Sequence, residues 1–273
     1  MKFAFVLILM SLSTAVIANG NKNKLSVFGD AVLRYENETR HINLADRERL
    51  RLIARLGASY QLNDSWKLTG RLRTGLKDKQ NVPAVTLHKF NEQPTPDSDV
   101  FVDRLFLSGN WQNSYLKAGK IPWGSWQNTD MFWDRDLNPI GVHLDYQINS
   151  NNKLSGMIAK PLDGNSSTIG TISVLQWQHN IKWQDWTFKI APWYVNYSGE
   201  DGAEFARKDT QLDNQFVRLA LNAKYQKWSF GLDLGRSLES FDSQQFGEFA
   251  DDKNAIASEI KYGGLKSPGD LRL

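Results

Sequence analysis

The chain of 273 residues lacks cysteine and has only four histidines. Past residue 18 it also lacks any apolar run of the roughly 20 residues that a membrane-spanning helix needs. The absence of cysteine excludes a disulfide framework, thiolate chemistry and cysteine-ligated metals. The histidines, at positions 41, 88, 143 and 179, lie on different predicted strands and loops, and none has the spacing of a metal site. Any insertion into a membrane would therefore use strands closed into a barrel.

The sequence also lacks the short motifs of common active sites. It contains no Gly-x-Ser-x-Gly, no His-Glu-x-x-His and no phosphate-binding glycine loop. Its formal net charge of +3 is too balanced for a nucleic-acid-binding protein, which would carry a concentrated basic surface. We therefore predict no catalytic residue, no metal site, no cofactor and no nucleic-acid partner.

Alternation of apolar and polar residues is the strongest pattern that the sequence does contain. Between Asp46 and Leu62, apolar residues occupy one parity and arginines the other. The apolar set is Leu50, Leu52, Ala54, Leu56, Ala58 and Tyr60, and the basic set is Arg47, Arg49, Arg51 and Arg55. Because side chains alternate between the two faces of a strand, this segment has one apolar and one cationic face. A strand crossing a bilayer would place the first against lipid and the second in a wet lumen.

The same alternation recurs along the chain in segments joined by connections of two lengths. The predicted strands are Leu25–Glu38, Arg47–Leu62, Trp66–Leu76, Val100–Trp111, Tyr115–Lys120, Gly141–Ile148, Lys153–Lys160, Thr168–His179, Trp186–Tyr197, Asn214–Tyr225, Trp228–Arg236 and Ala255–Tyr262. Short turns such as Asn63 to Ser65 alternate with long polar loops such as Leu76 to Asp99. This rhythm is typical of outer-membrane barrels, and a soluble β-sandwich has no reason to keep it. The sequence therefore predicts an all-β, antiparallel transmembrane β-barrel with about 12 strands.

The two ends of the chain carry further predictions. Lys2, the apolar run Phe3–Met10 and the small residues up to Ala18 are typical of a secretory signal peptide cleaved after Ala18. An uncleaved N-terminal anchor is the alternative, and residues 19–273 would form the barrel. The chain stops at Leu271–Leu273 as though a further strand had begun, and no terminal aromatic residue is present. We interpret it as a truncated piece of a barrel of about 16 strands, with a natural closed barrel of about 12 strands as the alternative.

One segment carries a family resemblance. Gly119-Lys120 ends a predicted strand, Pro122-Trp123 and the acidic run Trp133 to Leu137 follow, and Pro139 to Gly141 leads into the next strand. In this order the segment resembles the putative porin family of Gram-negative outer-membrane β-barrels, and the earlier RLRLIARLG and GRLRTG segments are similar to it too. The resemblance implies localisation in the outer membrane, contact with its lipid and a channel for small hydrophilic solutes. The missing C-terminal part departs from the family and leaves strand number and pore size open.

Seven arginines on the predicted lumen face are the candidate pore-lining residues. They are Arg34, Arg49, Arg51, Arg55, Arg71, Arg73 and Arg104. One interpretation is a ring of positive charge that attracts anions and sets selectivity. The other is that the arginines pair with nearby acids and only keep the interior polar. The candidate partners are Asp30, Glu36, Asp103 and Asp145, and we expect a mixture of both roles.

The segment from Ile121 to Asn138 is too long for a tight turn and combines aromatic with charged residues. Pro122 and Pro139 cannot donate to a sheet ladder, so the segment should leave the sheet at both ends. Folded inward, it would narrow the lumen and set its acids opposite the arginines, giving a transverse field. Folded outward, its aromatic residues would only anchor at the membrane interface. The candidate constriction residues are Lys120, Trp123, Trp126, Asp130, Trp133, Asp134, Arg135 and Asp136.

These patterns predict an outer-membrane porin for passive diffusion of small hydrophilic solutes, with a preference for anions. Two functions of other classes stay open. An outer-membrane hydrolase would need a Ser or Asp within hydrogen-bond reach of a histidine such as His88, whereas an adhesin would have a plugged lumen and adhesive outer loops. His143, on an inward parity with Asp145, is either half of a wet pair near the pore or an isolated lumen histidine. The solute and any homo-oligomer are left open by the sequence.

Overall fold

The part of the chain that the structure describes is built from β-strands. This computed structural model describes residues 6–12, 24–38, 47–75, 83–90, 95, 97–133, 136–160, 170–198, 214–239, 252–264 and 271–272. The strands are β1 (Val6–Leu12), β2 (Leu25–Glu38), β3 (Arg47–Gln61), β4 (Trp66–Gly75), β5 (Val85–Lys89), β6 (Asp99–Trp111), β7 (Ser114–Lys120), β8 (Ile140–Asn149), β9 (Asn152–Lys160), β10 (Thr171–Trp183), β11 (Trp186–Ser198), β12 (Asn214–Tyr225), β13 (Trp228–Ser237), β14 (Asn254–Tyr262) and β15 (Leu271–Arg272). In these ranges there is no helix long and apolar enough to cross a membrane.

The strands fall into two compact units, residues 1–109 and 110–273. In the first unit β1, β2, β3, β4 and β6 are neighbours in that order, and β5 pairs with β3 beyond the point where β4 ends. In the second unit β7 to β15 are neighbours in sequence order. Pairing in both units is antiparallel, as between β2 and β3 or between β11 and β12. The predicted all-β antiparallel fold class is confirmed.

In both units one face of the sheet exposes large apolar side chains and the other buries polar ones. Leu56 on β3 is 62% exposed and Ile158 on β9 is 64% exposed. The buried polar side chains include Asp103, His143, Gln176, Gln178 and Asp233. A sheet in water shows the opposite distribution, because its apolar face packs on a core and its polar face is solvated. The observed distribution is the one that a lipid-facing sheet requires.

The predicted strands are all present, and their bounds differ from the prediction by one residue or less except in β10. That strand begins at Thr171 rather than Thr168 and ends at Trp183 rather than His179. The predicted Lys182 to Asp185 turn was therefore too long, because Lys182 and Trp183 still pair with β11. Only Gln184 and Asp185 make the turn, with Gln184 at a φ of 53°. A positive φ at the first turn residue suits the twist of a two-residue hairpin.

The predicted loop from Leu76 to Asp99 contains a strand, β5, and was wrong in that stretch. β5 pairs with the end of β3 that extends past β4, with Leu50 opposite His88 and Leu52 opposite Val85. The Arg51 side chain adds a hydrogen bond, donated by Nη2 to the Ala84 carbonyl at 2.8 Å. The unpaired edge of β3 therefore acts as a template that draws part of the loop into the sheet.

The N-terminal strand β1 lies inside the predicted signal peptide. Its register against β2 runs from Val6 opposite Glu36 to Leu12 opposite Ala31, with one irregularity between Leu9 and Ser11. Cleavage after Ala18, and with it the division into residues 1–18 and 19–273, stays a prediction.

Candidate functional site

The predicted pore-lining arginines lie on the polar face of the first unit, where acidic residues bind them. Glu36 on β2 is the centre of one group, because its carboxylate contacts Arg34 at 2.5 Å, Arg49 at 2.6 Å and Arg51 at 3.3 Å. Register explains the grouping: Glu36 is opposite Arg49 and Arg34 is opposite Arg51, which places all four side chains on one face.

Two further carboxylates bind three more of the predicted pore-lining arginines, which together are called the arginine row. Asp30 Oδ2 lies 3.0 Å from Arg55 Nη1, its cross-strand partner. Asp103 on β6 is buried and pairs with both Arg71 and Arg73, the latter with Nε at 3.2 Å from Oδ1. Because each carboxylate accepts from a neighbouring strand, these pairs also fix the lateral position of the arginine side chains.

Asp103 reaches the polar face through a β-bulge. Arg71 is opposite Arg104 and Leu72 is opposite Val102, so Asp103 is the extra residue of β6. The bulge places two consecutive charged residues, Asp103 and Arg104, on the same side of the sheet. The sequence signal was a charged pair between apolar residues where strict alternation would allow one charge, and the sequence interpretation missed it.

In the ion pairs that the structure describes, six arginines share three carboxylates, so the predicted pairing with acids is present; the role of these arginines in attracting anions stays a prediction. Asp145, the fourth predicted partner, binds no arginine in the contacts that the structure gives. Its Oδ1 lies 3.3 Å from Lys153 Nζ on β9. Strand register and the bulge at Asp103 decide which charged side chains lie next to each other on this face.

The segment between β7 and β8 leaves the sheet at both ends, as its two prolines predict. The Ile121 amide donates to the Pro139 carbonyl at 2.9 Å, which closes the base of the segment. From there the chain folds back over the polar face of the second unit, in contact with β10, β11, β12 and β13. The described part of the segment lies against the polar face of these strands, as the inward placement requires, and its role as a constriction stays a prediction.

Gln176 on β10 provides the first anchor for this segment. Its Oε1 accepts from the Trp126 amide at 2.9 Å, and its Nε2 donates to the Trp126 carbonyl at 2.7 Å. Gln178 supports the same side chain by donating to Gln176 Oε1 at 2.8 Å. Gln176 is fully buried, so this reciprocal pair satisfies both ends of the amide as well as the backbone of a residue outside the sheet.

Asp233 on β13 provides the second anchor. Its Oδ2 accepts from the amide and the hydroxyl of Thr129, each at 2.7 Å, and its Oδ1 accepts from Asn128 Nδ2 at 3.1 Å. Asn128 Nδ2 also donates to the Leu221 carbonyl at 2.8 Å. A buried carboxylate that accepts hydrogen bonds from several N–H and O–H groups holds those donors firmly.

An aromatic cluster fills the space between the anchors. Trp123 stacks on Trp133 with ring centroids 4.4 Å apart, and Trp133 Nε1 donates to the Leu137 carbonyl. Phe132 contacts Trp193 of β11 edge to face at 5.7 Å and Phe216 of β12 at 6.1 Å. Such contacts bury large flat side chains of the segment against the sheet, which stabilises the inward fold.

Two glycines allow the segment to lie close to the strands beneath it. A Cβ on Gly124 would lie 2.4 Å from His143 Nε2, and one on Gly231 would lie 2.9 Å from the Asn128 side chain. His143 is fully buried beneath the segment, and neither of its ring nitrogens has a hydrogen-bond partner among the described residues. Its Nε2 lies 3.6 Å from Asp145 Oδ1, so the predicted pairing with Asp145 is present, but the His143 ring is buried next to Gly124 and is not wet.

The remaining constriction residues occupy different environments. Asp130 is exposed, whereas Lys120 and Asp136 are half-buried, and Asp134 and Arg135 lie outside the described residues. The ammonium group of Lys189 on β11 lies over the Trp126 ring, with Nζ 4.3 Å from the indole centroid. Sequence interpretation missed Gln176, Lys189 and Asp233 as partners of the segment, although each falls on the polar parity of its strand. The predicted alignment of the acids opposite the arginine row stays a prediction.

The histidines show no arrangement for nucleophilic chemistry in the described ranges. His88 packs edge to face on Phe90 with centroids 4.7 Å apart, and His179 Nδ1 lies 2.8 Å from Asn152 Oδ1. Among the described residues, neither these two rings nor His143 forms a hydrogen bond to a serine or an aspartate; His41 lies outside the described ranges. No group of three or more His, Asp or Glu side chains in the same ranges could hold a metal ion.

The solved structures that are similar to this chain have low sequence identity to it. OpdK of Pseudomonas aeruginosa, crystallised with vanillate, is 13% identical, with 86% of this chain and 77% of that chain covered and a TM-score of 0.42. OccAB4 of Acinetobacter baumannii is 13% identical, with 89% and 79% covered and a TM-score of 0.44. A search of the curated proteins finds no match.

The family comparison is more direct. The profile of a family described as "putative porin" matches residues 20–178, which is more than half of the 273 residues. The match includes the arginine-bearing strands β2 to β4, the whole segment between β7 and β8, and Gln176. The resemblance stated from Gly119 to Gly141 is thereby confirmed, and with it the outer-membrane channel type of protein. The chain belongs to the putative porin family.

Proposed function

We propose that this protein is a porin through which small hydrophilic solutes diffuse passively across the outer membrane, with a preference for anions. The observation that carries the proposal is the inverted sheet: apolar side chains are exposed on one face, and the other face holds six arginines that share three carboxylates in the described ion pairs. A wet face of that composition raises the local concentration of anions. No turnover or cofactor is needed for this activity.

The segment from Ile121 to Asn138 is the proposed constriction. Its anchors at Gln176 and Asp233 hold Trp126 to Thr129 against the polar face, where the segment occupies space that solutes would otherwise use. If the segment lay at the rim of the barrel, the polar face of β10 to β13 would be uncovered. Its position on that face supports the proposal that the segment limits the size of the solutes that can pass.

Charge reversal on the arginine row tests the anion preference. In planar bilayers under a salt gradient, the triple variant R51E/R55E/R73E should shift the reversal potential toward cation selectivity. The shift should shrink at 1 M salt, where the Debye length falls to about 3 Å. R236E is the matched control, because Arg236 pairs in register with Val217 and Asn254 on the other face of the sheet.

Equal reversal potentials for the triple variant and the parent would contradict anion selection by these arginines. They would then be structural partners of Glu36, Asp30 and Asp103 only. Absence of any conductance from the correctly folded protein would contradict the porin proposal as a whole.

A further inference from the structure

The constriction segment lies directly on a titratable side chain of the sheet. His143 on β8 is 0% exposed, and neither of its ring nitrogens makes a hydrogen bond in the described part of the chain. A Cβ on Gly124 would lie 2.4 Å from Nε2, so no water fits between the segment and the ring. Residues 123–126, which pass over it, carry no charge. A charged imidazole would be costly in this position, because neither water nor a hydrogen-bond partner reaches it.

The charged groups that face this ring come from three strands. Asp145 lies two residues further along β8, Lys117 is the cross-strand partner of His143 on β7, and Lys153 lies on β9. Asp145 Oδ1 is 3.6 Å from His143 Nε2, beyond hydrogen-bond distance. The same oxygen accepts from Ser155 Oγ and lies 3.3 Å from Lys153 Nζ. One carboxylate thus faces two ammonium groups, and a proton on the ring would add a third positive charge.

Release of the segment would change the surroundings of the ring. Gly124 would move away from His143, and the imidazole would then be open to the water of the polar face. A histidine in water takes up a proton at about pH 6.5. The released form therefore binds more protons than the docked form, so acidification shifts the equilibrium toward release.

The part of the segment next to the ring has the weaker of the two anchors. Trp126 binds Gln176 through two hydrogen bonds between neutral groups, at 2.9 Å and 2.7 Å, whereas Thr129 is held by the carboxylate of Asp233. Hydrogen bonds to a carboxylate are about twice as strong as those between neutral groups. A charge on His143 should therefore release the Gln176 side and leave the Asp233 side attached.

We infer that His143 is a proton-operated release for the constriction segment: protonation of its ring in acid frees residues 123–126 from the polar face and widens the passage. This regulation depends on the proposed function, since movement of the segment changes permeation only if the segment narrows the lumen. The pH of the surrounding medium would then set the size limit of the channel.

Thiol labelling measures the release without requiring conductance. The chain lacks cysteine, so S125C carries a single thiol next to Gly124, at a position that is 6% exposed while the segment is docked. The rate of its reaction with a maleimide is measured on the full chain in detergent micelles, between about pH 7.5 and about pH 5. At each pH it is divided by the rate for S150C in an exposed turn, which removes the pH dependence of the thiol itself. The ratio should rise about tenfold across this range, because linkage to one proton allows at most about tenfold per pH unit.

Variants of the ring locate the effect. H143Q and H143L, each combined with S125C, carry no titratable group at this position, and their ratio should not change with pH. H179Q is the matched control and should respond like the parent, because His179 lies on the opposite face of the sheet, bound to Asn152. Circular dichroism confirms the sheet in each variant, and if one of the two neutral variants does not fold, the other decides.

A second variant tests the close packing itself. G124A should raise the labelling ratio already at neutral pH, because its Cβ would occupy the space of the ring. In planar bilayers the conductance of the parent should rise as the pH falls, and that of H143Q should stay constant. A ratio for G124A equal to that of the parent would contradict the contact on which the release depends.

A labelling ratio that is independent of pH in the parent, or that rises equally in H143Q and H143L, would overturn the inference. A conducting channel without pH-dependent release overturns this regulation and leaves the porin proposal intact. Release in acid that is lost in H143Q and H143L, in a protein that does not conduct, supports the release and contradicts the porin proposal instead.

Discussion

The polar faces of the two units satisfy their buried charges in different ways. In the first unit, Glu36 and Asp103 bind arginines of adjacent strands, so the partners are fixed as soon as the hairpins form. In the second unit, Asp233 binds Asn128 and Thr129 of a segment that lies far away in sequence. Local register therefore organises the first face, and long-range docking organises the second.

This contrast shows which part of the protein can be altered independently. An ion pair within the first unit links one strand to the next, so its loss has local effects on charge. The segment on the second face is held at few points, so loss of one anchor affects the position of many residues at once. The following experiments test this difference, from the largest expected effect to the smallest.

Replacement of residues 123–133 by a glycine-serine linker of equal length should have the largest effect. The linker lacks the aromatic cluster and the donors to Gln176 and Asp233, so it should not stay on the polar face. We expect higher single-channel conductance and passage of larger uncharged sugars in liposome swelling assays. Unchanged size limits would mean that the constriction lies elsewhere.

An arginine placed on the apolar face should destabilise both units to a similar extent. L56R in the first and I158R in the second should each destabilise the membrane-inserted protein, by at most about 4 kcal/mol, because each places a charge on the exposed apolar face of its strand. The measurement is guanidinium-induced unfolding from lipid vesicles. S59R, on the polar face beside Thr69, is the control and should cost far less. Equal losses for L56R and S59R would contradict the assignment of faces.

D233A should loosen the constriction segment without altering the arginine row. It removes the acceptor of the Thr129 amide and hydroxyl and one of the acceptors of Asn128, at about 1 to 3 kcal/mol for each buried group that loses its partner. Single-channel records should show larger and more frequent conductance fluctuations than the parent. D185A, in an exposed turn, should show none. A quiet channel with unchanged conductance in D233A would indicate that Gln176 and the aromatic cluster suffice.

E36Q should produce the smallest change, confined to charge. The neutral amide leaves Arg34, Arg49 and Arg51 without their shared carboxylate, so anion selectivity should increase by a modest shift of the reversal potential. Conductance fluctuations should stay as in the parent. A change of pore size in E36Q would show that the first face also depends on long-range support.

Strand positions could be predicted from the sequence because a period of two and turn residues are local signals. The alternation from Leu50 to Tyr60 placed β3 on the correct parity, and the prolines at 122 and 139 located the ends of the constriction segment. The bulge at Asp103 was not predicted, because one extra residue interrupts the period of two on which the strand predictions depend.

The partners of the segment could not be predicted, for a different reason. Gln176 and Asp233 are ordinary polar residues on the wet parity of their strands, and nothing near them in sequence indicates that they bind backbone groups of Trp126 and Thr129. The burial of His143 could not be predicted for the same reason, because Gly124 lies against its ring only after the segment has folded back. Contacts of this kind depend on tertiary placement rather than on local pattern.

The two anchors of the segment also set an order of events during folding. The segment precedes its partners in the chain: Gln176 follows Trp126 by 50 residues, and Asp233 follows Asn128 by 105. Contacts between residues so far apart form late, because the intervening chain must first be ordered. The segment therefore cannot reach its final position until β13 is in place, so its docking on the polar face follows the formation of most of the described sheet.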